Sequence, residues 1–124
     1  MTRPPAALLP EGLRDRLPAE AEAASRVSRA MIDAMHSHGY ARVAPPIAEF
    51  RETLAGPSDD GASRDLLRFT DPVSRRTLAI RPDITRQVGR IAVTRMAAAP
   101  RPLRLCYAGE VVRLSASALW PDRE

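Results

Sequence analysis

The sequence contains no lysine, so all nineteen basic residues are arginine. An arginine-only basic content beside abundant alanine is typical of a GC-rich genome, and the formal net charge of +4 is therefore weak evidence for a nucleic-acid partner. Aromatic residues are also scarce, at one Trp, two Tyr and two Phe. They are too few and too scattered to stack bases along a binding surface. Nucleic-acid binding is not expected.

Other absences exclude further classes of protein. No apolar run approaches the roughly 20 residues that a membrane span needs, so membrane insertion is not expected. The first ten residues are interrupted by prolines and resemble no targeting segment, which favours the cytoplasm. The single cysteine, Cys106, has no partner for a disulfide and is expected to be a small buried residue. His36 and His38 would point to different sides of a helix. Neither a metal nor a cofactor is predicted.

What is present fits one soluble domain. The length of 124 residues sets one domain as the ceiling, and 44% hydrophobic and 27% charged residues are typical of globular proteins. The charge is uneven. Residues 1–60 carry seven Arg and nine acids, a net charge of −2, whereas residues 61–124 carry twelve Arg and six acids, a net charge of +6. The second half is therefore the better candidate for an anionic ligand, and a solvated arginine surface is the alternative that stays open.

The first half predicts a helix followed by a strand. Leu17 and Pro18 suit a helix start, Gly39 suits its end, and between them apolar residues recur at three- and four-residue spacing. A short strand is predicted at 40–43, closed by the prolines at 45 and 46 because proline cannot donate to a sheet ladder. Residues 54–63 gather glycine, proline and small polar side chains and predict a mobile loop.

The second half predicts a hairpin, a helix and a strand. Two apolar runs at 66–70 and 76–80 flank a polar turn, which is the pattern of a hairpin. Asp83 is expected to cap the next helix, whose apolar face is predicted at Ile84, Val88, Ile91 or Ala92, and Met96, with Gln87 outside it. Residues 103–113 predict a strand at the centre of a sheet. This order of elements favours an α+β fold.

Four segments in this order resemble the catalytic core of class II aminoacyl-tRNA synthetases of the histidyl type. They are LPEGLRD at 9–15, HGYARVAPPIAE at 38–49, LAIRPDIT at 78–85 and LCYAGEVVR at 105–113. The second resembles the signature that the family uses at its dimer interface. The resemblance implies a partial class II core, with a mixed but mainly antiparallel sheet flanked by helices.

The resemblance also implies ligand contacts for three residues. Asp83 and Thr85 match positions that meet the amino group of histidine, and Arg113 matches an arginine that contacts a nucleotide phosphate. Each residue has an alternative role that stays open here. Asp83 could be only a helix N-cap, Thr85 could bond only to the backbone of the first helical turn, and Arg113 could be a surface arginine. No residue is assigned a catalytic role.

The departures from the synthetase pattern favour one branch of the family. Asp83-Ile84 stands where synthetases usually have Glu-Gly, and the segments at 9–15 and 81–85 are more similar to the regulatory subunit of ATP phosphoribosyltransferase. That likeness implies a histidine-sensing, non-catalytic protein of histidine biosynthesis. It also implies a catalytic partner subunit, and self-association through the first helix and strand.

The expected organisation is one partial domain with a short tail. Residues 1–113 are predicted to be the N-terminal part of the synthetase-like domain, and residues 114–124 a divergent tail. A fragment of histidyl-tRNA synthetase and a truncated inactive product are the two alternatives.

Overall fold

A computed structural model describes residues 9–56 and 66–114. This part of the chain forms three helices and five strands, and the α+β prediction is confirmed. In chain order they are α1 (Pro18–Ser37), β1 (Ala41–Arg42), β2 (Ala48–Phe50), α2 (Arg51–Ala55), β3 (Leu67–Thr70), β4 (Thr77–Ile80), α3 (Thr85–Val93) and β5 (Leu105–Cys106). The predicted tail, apart from Leu114, and residues 57–63 of the predicted loop lie outside the described residues.

The first helix begins and ends where the sequence predicts. Pro18 occupies the first helical turn, and Gly39 follows the helix at φ 86°. The amide of Gly39 donates to the carbonyl of His36 and that of Tyr40 donates to Met35, which is the hydrogen-bond pattern of a glycine-terminated helix. None of the α1 residues is buried, and Val27 and Met31 are 61% and 60% exposed. The predicted apolar stripe therefore exists, but the described chain leaves it uncovered.

A three-stranded antiparallel sheet holds the small hydrophobic core. The predicted hairpin is confirmed as β3 and β4, and β2 adds to the other edge of β4. The cluster beneath consists of Leu54, Ala55, Leu66 and Ala79. The prediction of a loop from residue 54 is wrong at its start, because Leu54 and Ala55 end helix α2 and are buried.

The third helix corrects a second prediction. It runs from Thr85 to Val93, but Gln87, expected outside its apolar face, is fully buried. The side-chain amide of Gln87 donates to the Pro46 carbonyl at 2.6 Å. A buried side-chain amide needs a hydrogen-bond partner, and the Pro46 carbonyl supplies one to Gln87. A polar side chain in the core is thus explained by a distant proline pair.

The last described strand is shorter than predicted. Only Leu105 and Cys106 form β5, which pairs in parallel with β1 in a separate two-stranded sheet, so the expectation of a long central strand over 103–113 is wrong. Cys106 is 2% exposed, as expected. After β5 the chain continues beside the end of β4, where the Val112 amide donates to the Arg81 carbonyl at 3.0 Å. That path brings residues 107–113 next to the start of α3.

Candidate functional site

An open cleft of about 800 Å³ lies between α1, the start of α3 and the segment that follows β5. Its walls bring together residues far apart in the chain: the first turns of α1, the turn at 82–84, and residues 107–111 with Arg113. Charged side chains of both signs line it, and these are Arg16, Asp83, Glu110 and Arg113. A ligand that carries both an ammonium and an anionic group suits this mixture.

Asp83 stands at the edge of the cleft and is held by Thr85. Both the backbone amide and the hydroxyl of Thr85 donate to Oδ1 of Asp83, each at 2.9 Å. The Thr85 hydroxyl is also 3.0 Å from the hydroxyl of Tyr107. An ionised carboxylate can only accept hydrogen bonds, so the Thr85 hydroxyl donates its one proton to Asp83. The Tyr107 hydroxyl must therefore be the donor in its contact with Thr85. The resulting chain runs from Tyr107 through Thr85 to Asp83.

The hydrogen bonds from Thr85 use only one of the two oxygens of the Asp83 carboxylate. Both Thr85 bonds end on Oδ1, so neither uses Oδ2, and Asp83 is an exposed residue. The helix begins one residue later than a cap at Asp83 would place it, since Ile84 is the N-cap residue and caps through no side-chain bond. Asp83 nevertheless accepts the first helical amide. The two roles left open by the sequence are therefore compatible, because neither Thr85 bond occupies Oδ2.

The hydrogen bond from the Thr85 amide lowers the pKa of Asp83 below its ordinary value of 3.8. The Thr85 hydroxyl, the Ile84 amide and the positive charge of Arg113 act in the same direction, whereas partial burial acts against them. Ionisation of Asp83 thus stabilises the fold fully above pH 3.8, and the contribution is lost as pH falls through the lower folded pKa.

We expect the difference in unfolding free energy between wild type and Asp83→Asn to be constant near neutrality and to shrink below pH 3.8. Urea unfolding across that range measures it, and a difference that grows on acidification would refute the assignment.

Arg113 and Tyr107 belong to the walls of the cleft, and Arg81 lies behind them. Arg113 is exposed, lines the cleft and lies close enough to favour ionisation of Asp83, so the structure brings all three predicted site residues together. Tyr107 and Arg81 were not predicted to have roles. Tyr107 lies 22 residues from Thr85 in sequence, and no local pattern signals such a contact. The only sequence signal at Arg81 is an arginine that stands between strand β4 and a proline.

Neither a metal site nor a membrane helix is found in the described ranges. Within residues 9–56 and 66–114, no three His, Cys, Asp or Glu side chains come together in a way that could hold a metal ion. None of the helices in the same ranges is long and apolar enough to cross a bilayer.

Comparison with known proteins agrees with this architecture. The family model described as Histidyl-tRNA synthetase matches residues 12–124. ATP phosphoribosyltransferase regulatory subunits from Paramagnetospirillum magneticum and Rhodospirillum centenum are both 46% identical, over 95% and 98% of this chain and 31% of their own length. The chain thus spans about a third of the length of these curated relatives.

A solved structure shares the fold. The crystal structure of an ATP phosphoribosyltransferase regulatory subunit/histidyl-tRNA synthetase from Bacillus halodurans superposes with a TM-score of 0.76 at 28% identity, and the match covers 91% of this chain and 29% of that one. The chain therefore belongs to the histidyl-tRNA synthetase family, and its curated relatives at 41–46% identity are ATP phosphoribosyltransferase regulatory subunits.

Proposed function

We propose that this chain contributes the histidine-sensing site of a regulatory subunit of ATP phosphoribosyltransferase, which acts in the cytoplasm in the first step of histidine biosynthesis and catalyses nothing itself. One observation carries the proposal. An ionised carboxylate, Asp83, lines the cleft and is held by Thr85 through two bonds that both end on Oδ1. The shared name of the curated relatives supports the regulatory role.

In this site Asp83 binds the ammonium group of histidine through Oδ2, and Thr85 keeps the carboxylate in place. Charge-assisted hydrogen bonds of this kind contribute about 1.5–3 kcal/mol. Arg113 faces an anionic group of a ligand, such as a phosphate, with the planar fork of its guanidinium. The imidazole contacts belong to parts of the protein other than these three residues.

Calorimetric titration tests the proposal in the protein that carries this sequence. We expect saturable binding of histidine and much weaker binding of imidazolepropionate, which keeps the imidazole and the carboxylate but lacks the ammonium group. Equal affinity for the two ligands would show that Asp83 does not bind the ammonium group of histidine. Absence of histidine binding would remove the sensing function altogether.

The rival function is that of a histidyl-tRNA synthetase, an enzyme that is named both by the family model and by the Bacillus structure. Asp83-Ile84 departs from the Glu-Gly of that enzyme's motif, and we expect the protein to form no histidyl-adenylate from ATP and histidine. Histidine-dependent exchange of pyrophosphate into ATP is the measurement. Exchange above the level of a heat-inactivated sample would favour the synthetase.

The proposal includes two kinds of protein partner. One is the catalytic subunit of ATP phosphoribosyltransferase, and the other is a second copy of this protein. The second copy would cover the exposed apolar face of α1, which includes Val27 and Met31. Exposed apolar patches of this kind mark interaction sites.

We expect the protein to self-associate through this face, and Met31→Glu to shift it toward monomers, because a carboxylate buried against apolar side chains is costly. Arg29→Glu introduces the same carboxylate on the opposite side of α1 and is the matched control. Sedimentation velocity over a concentration series measures the effect. A wild-type protein that stays monomeric, or two variants that behave alike, would count against this surface.

A further inference from the structure

Arg81 is a buried cation at the point where three segments meet. The residue is 7% exposed. Its Nε donates to the Glu110 carbonyl at 2.7 Å, and one terminal nitrogen donates to the Pro45 carbonyl at 3.0 Å. Longer contacts of 3.5 and 3.4 Å from the same nitrogen reach the Pro46 carbonyl and the side-chain oxygen of Gln87. One guanidinium thus joins the β1–β2 connection, α3 and the segment after β5.

The backbone of Arg81 makes the same connection. Its amide donates to the Ile47 carbonyl at 3.0 Å, and its carbonyl accepts the Val112 amide at 3.0 Å. Arg81 precedes the turn that carries Asp83, while Val112 precedes Arg113. Main chain and side chain together therefore fix how far the Asp83 wall of the cleft stands from the wall formed by residues 107–113.

All four side-chain acceptors of Arg81 are uncharged oxygens. A guanidinium stays protonated at any pH a protein meets, and burying a charge among dipoles alone is costly. An apolar side chain would fill the same space without that cost. What it would lack is the planar set of donors that bonds several carbonyls at once. The structure therefore uses the arginine for geometry.

Gly109 is matched to this arginine. A Cβ atom at Gly109 would lie 2.5 Å from a terminal nitrogen of Arg81 and 3.3 Å from the Ile84 side chain. The first distance is too short for any real contact, so a side chain at 109 would push the guanidinium away. Gly109 lines the cleft, whereas Arg81 supports it from behind.

We infer that Arg81 is a positioning residue for the ligand site, which sets the spacing between Asp83 and the segment 107–113 without touching the ligand. The inference rests on the proposed function, because it names what places the histidine-binding carboxylate. It predicts that Arg81 and Asp83 act on the same step of binding.

The test is a double-mutant cycle on histidine affinity, measured by calorimetry. Arg81→Lys keeps the charge and loses the fork, and we expect it to weaken binding about tenfold, the lower end of what loss of a supporting partner costs at metal sites. In the Asp83→Asn background the same change should cost less than about twofold, since coupled residues are not additive. Arg42→Lys, on exposed strand β1, is the matched control and should bind as the wild type does.

Gly109→Ala provides a second route to the same displacement and should give the same pattern, so the cycle stands even if Arg81→Lys fails to fold. Full additivity with Asp83→Asn, or wild-type affinity in both Arg81→Lys and Gly109→Ala, would overturn the positioning role. Melting curves of each variant ensure that the titrations compare folded proteins. If Asp83→Asn itself binds histidine as the wild type does, the proposed site is wrong and the positioning role fails with it. If Asp83→Asn weakens binding but the Arg81 and Gly109 variants do not, only the positioning role fails.

Discussion

Replacing Asp83 with alanine should weaken histidine binding by about ten- to a hundredfold, the equivalent of a charge-assisted hydrogen bond of roughly 1.5–3 kcal/mol. The loss has two parts. The ligand ammonium loses its counter-charge, and Thr85 loses the acceptor for both of its bonds. Asp83→Asn separates them, because asparagine also satisfies amides at helix starts while removing the charge. We expect Asp83→Asn to retain most of the stability and to lose most of the affinity.

The matched control for this experiment is Asp71→Asn. Asp71 is a second aspartate that accepts local bonds, from the amides of Val73 and Ser74 and from the Ser74 hydroxyl, in the hairpin turn. It does not line the cleft of Asp83. Calorimetric titration of histidine should give wild-type affinity for Asp71→Asn. A lowered melting temperature with unchanged affinity in Asp83→Asn would leave Asp83 as a structural residue only.

Replacing Leu54 with alanine should lower the free energy of unfolding by about 2–5 kcal/mol, as large-to-small changes do in protein cores. Leu54 is 5% exposed and belongs to the small cluster of buried side chains that joins α2 to the sheet. In so small a core few neighbours can move to fill the space, so the loss is a large share of the total stability. Urea unfolding monitored by circular dichroism measures it.

Val73→Ala is the control for that experiment. Val73 is 91% exposed in the hairpin turn, and its truncation should change the unfolding free energy by less than about 0.5 kcal/mol. If Leu54→Ala proved as mild as Val73→Ala, the cluster around Leu54 would not be the core of the fold.

The long helix and the hairpin were predictable because their signals are local. A proline start, a three- and four-residue apolar spacing and a glycine end define α1, and two short apolar runs about a polar turn define β3 and β4. Strand β2 and helix α2 were missed because they are short and carry no period. Their structure depends on partners: Ala48, Glu49 and Phe50 pair with Ile80, Ala79 and Leu78 of β4.

The candidate site divides in the same way. Asp83, Thr85 and Arg113 were found through resemblance, and the fold places all three beside one cleft. Tyr107 and Arg81 were missed because their contacts join residues 22 to 36 positions apart. Gln87 was assigned to the wrong face because helical periodicity takes no account of a distant carbonyl that can accept from a buried side-chain amide.

Feedback measured in a reconstituted enzyme tests the central claim most directly. The catalytic subunit of ATP phosphoribosyltransferase is assayed with the protein that carries this sequence, across a range of histidine concentrations, and again with its Asp83→Asn variant. We predict that histidine inhibits the wild-type complex and that the variant complex needs about ten- to a hundredfold more histidine for the same inhibition. The same histidine dependence in both complexes, or activity indifferent to the presence of the protein, would contradict the account.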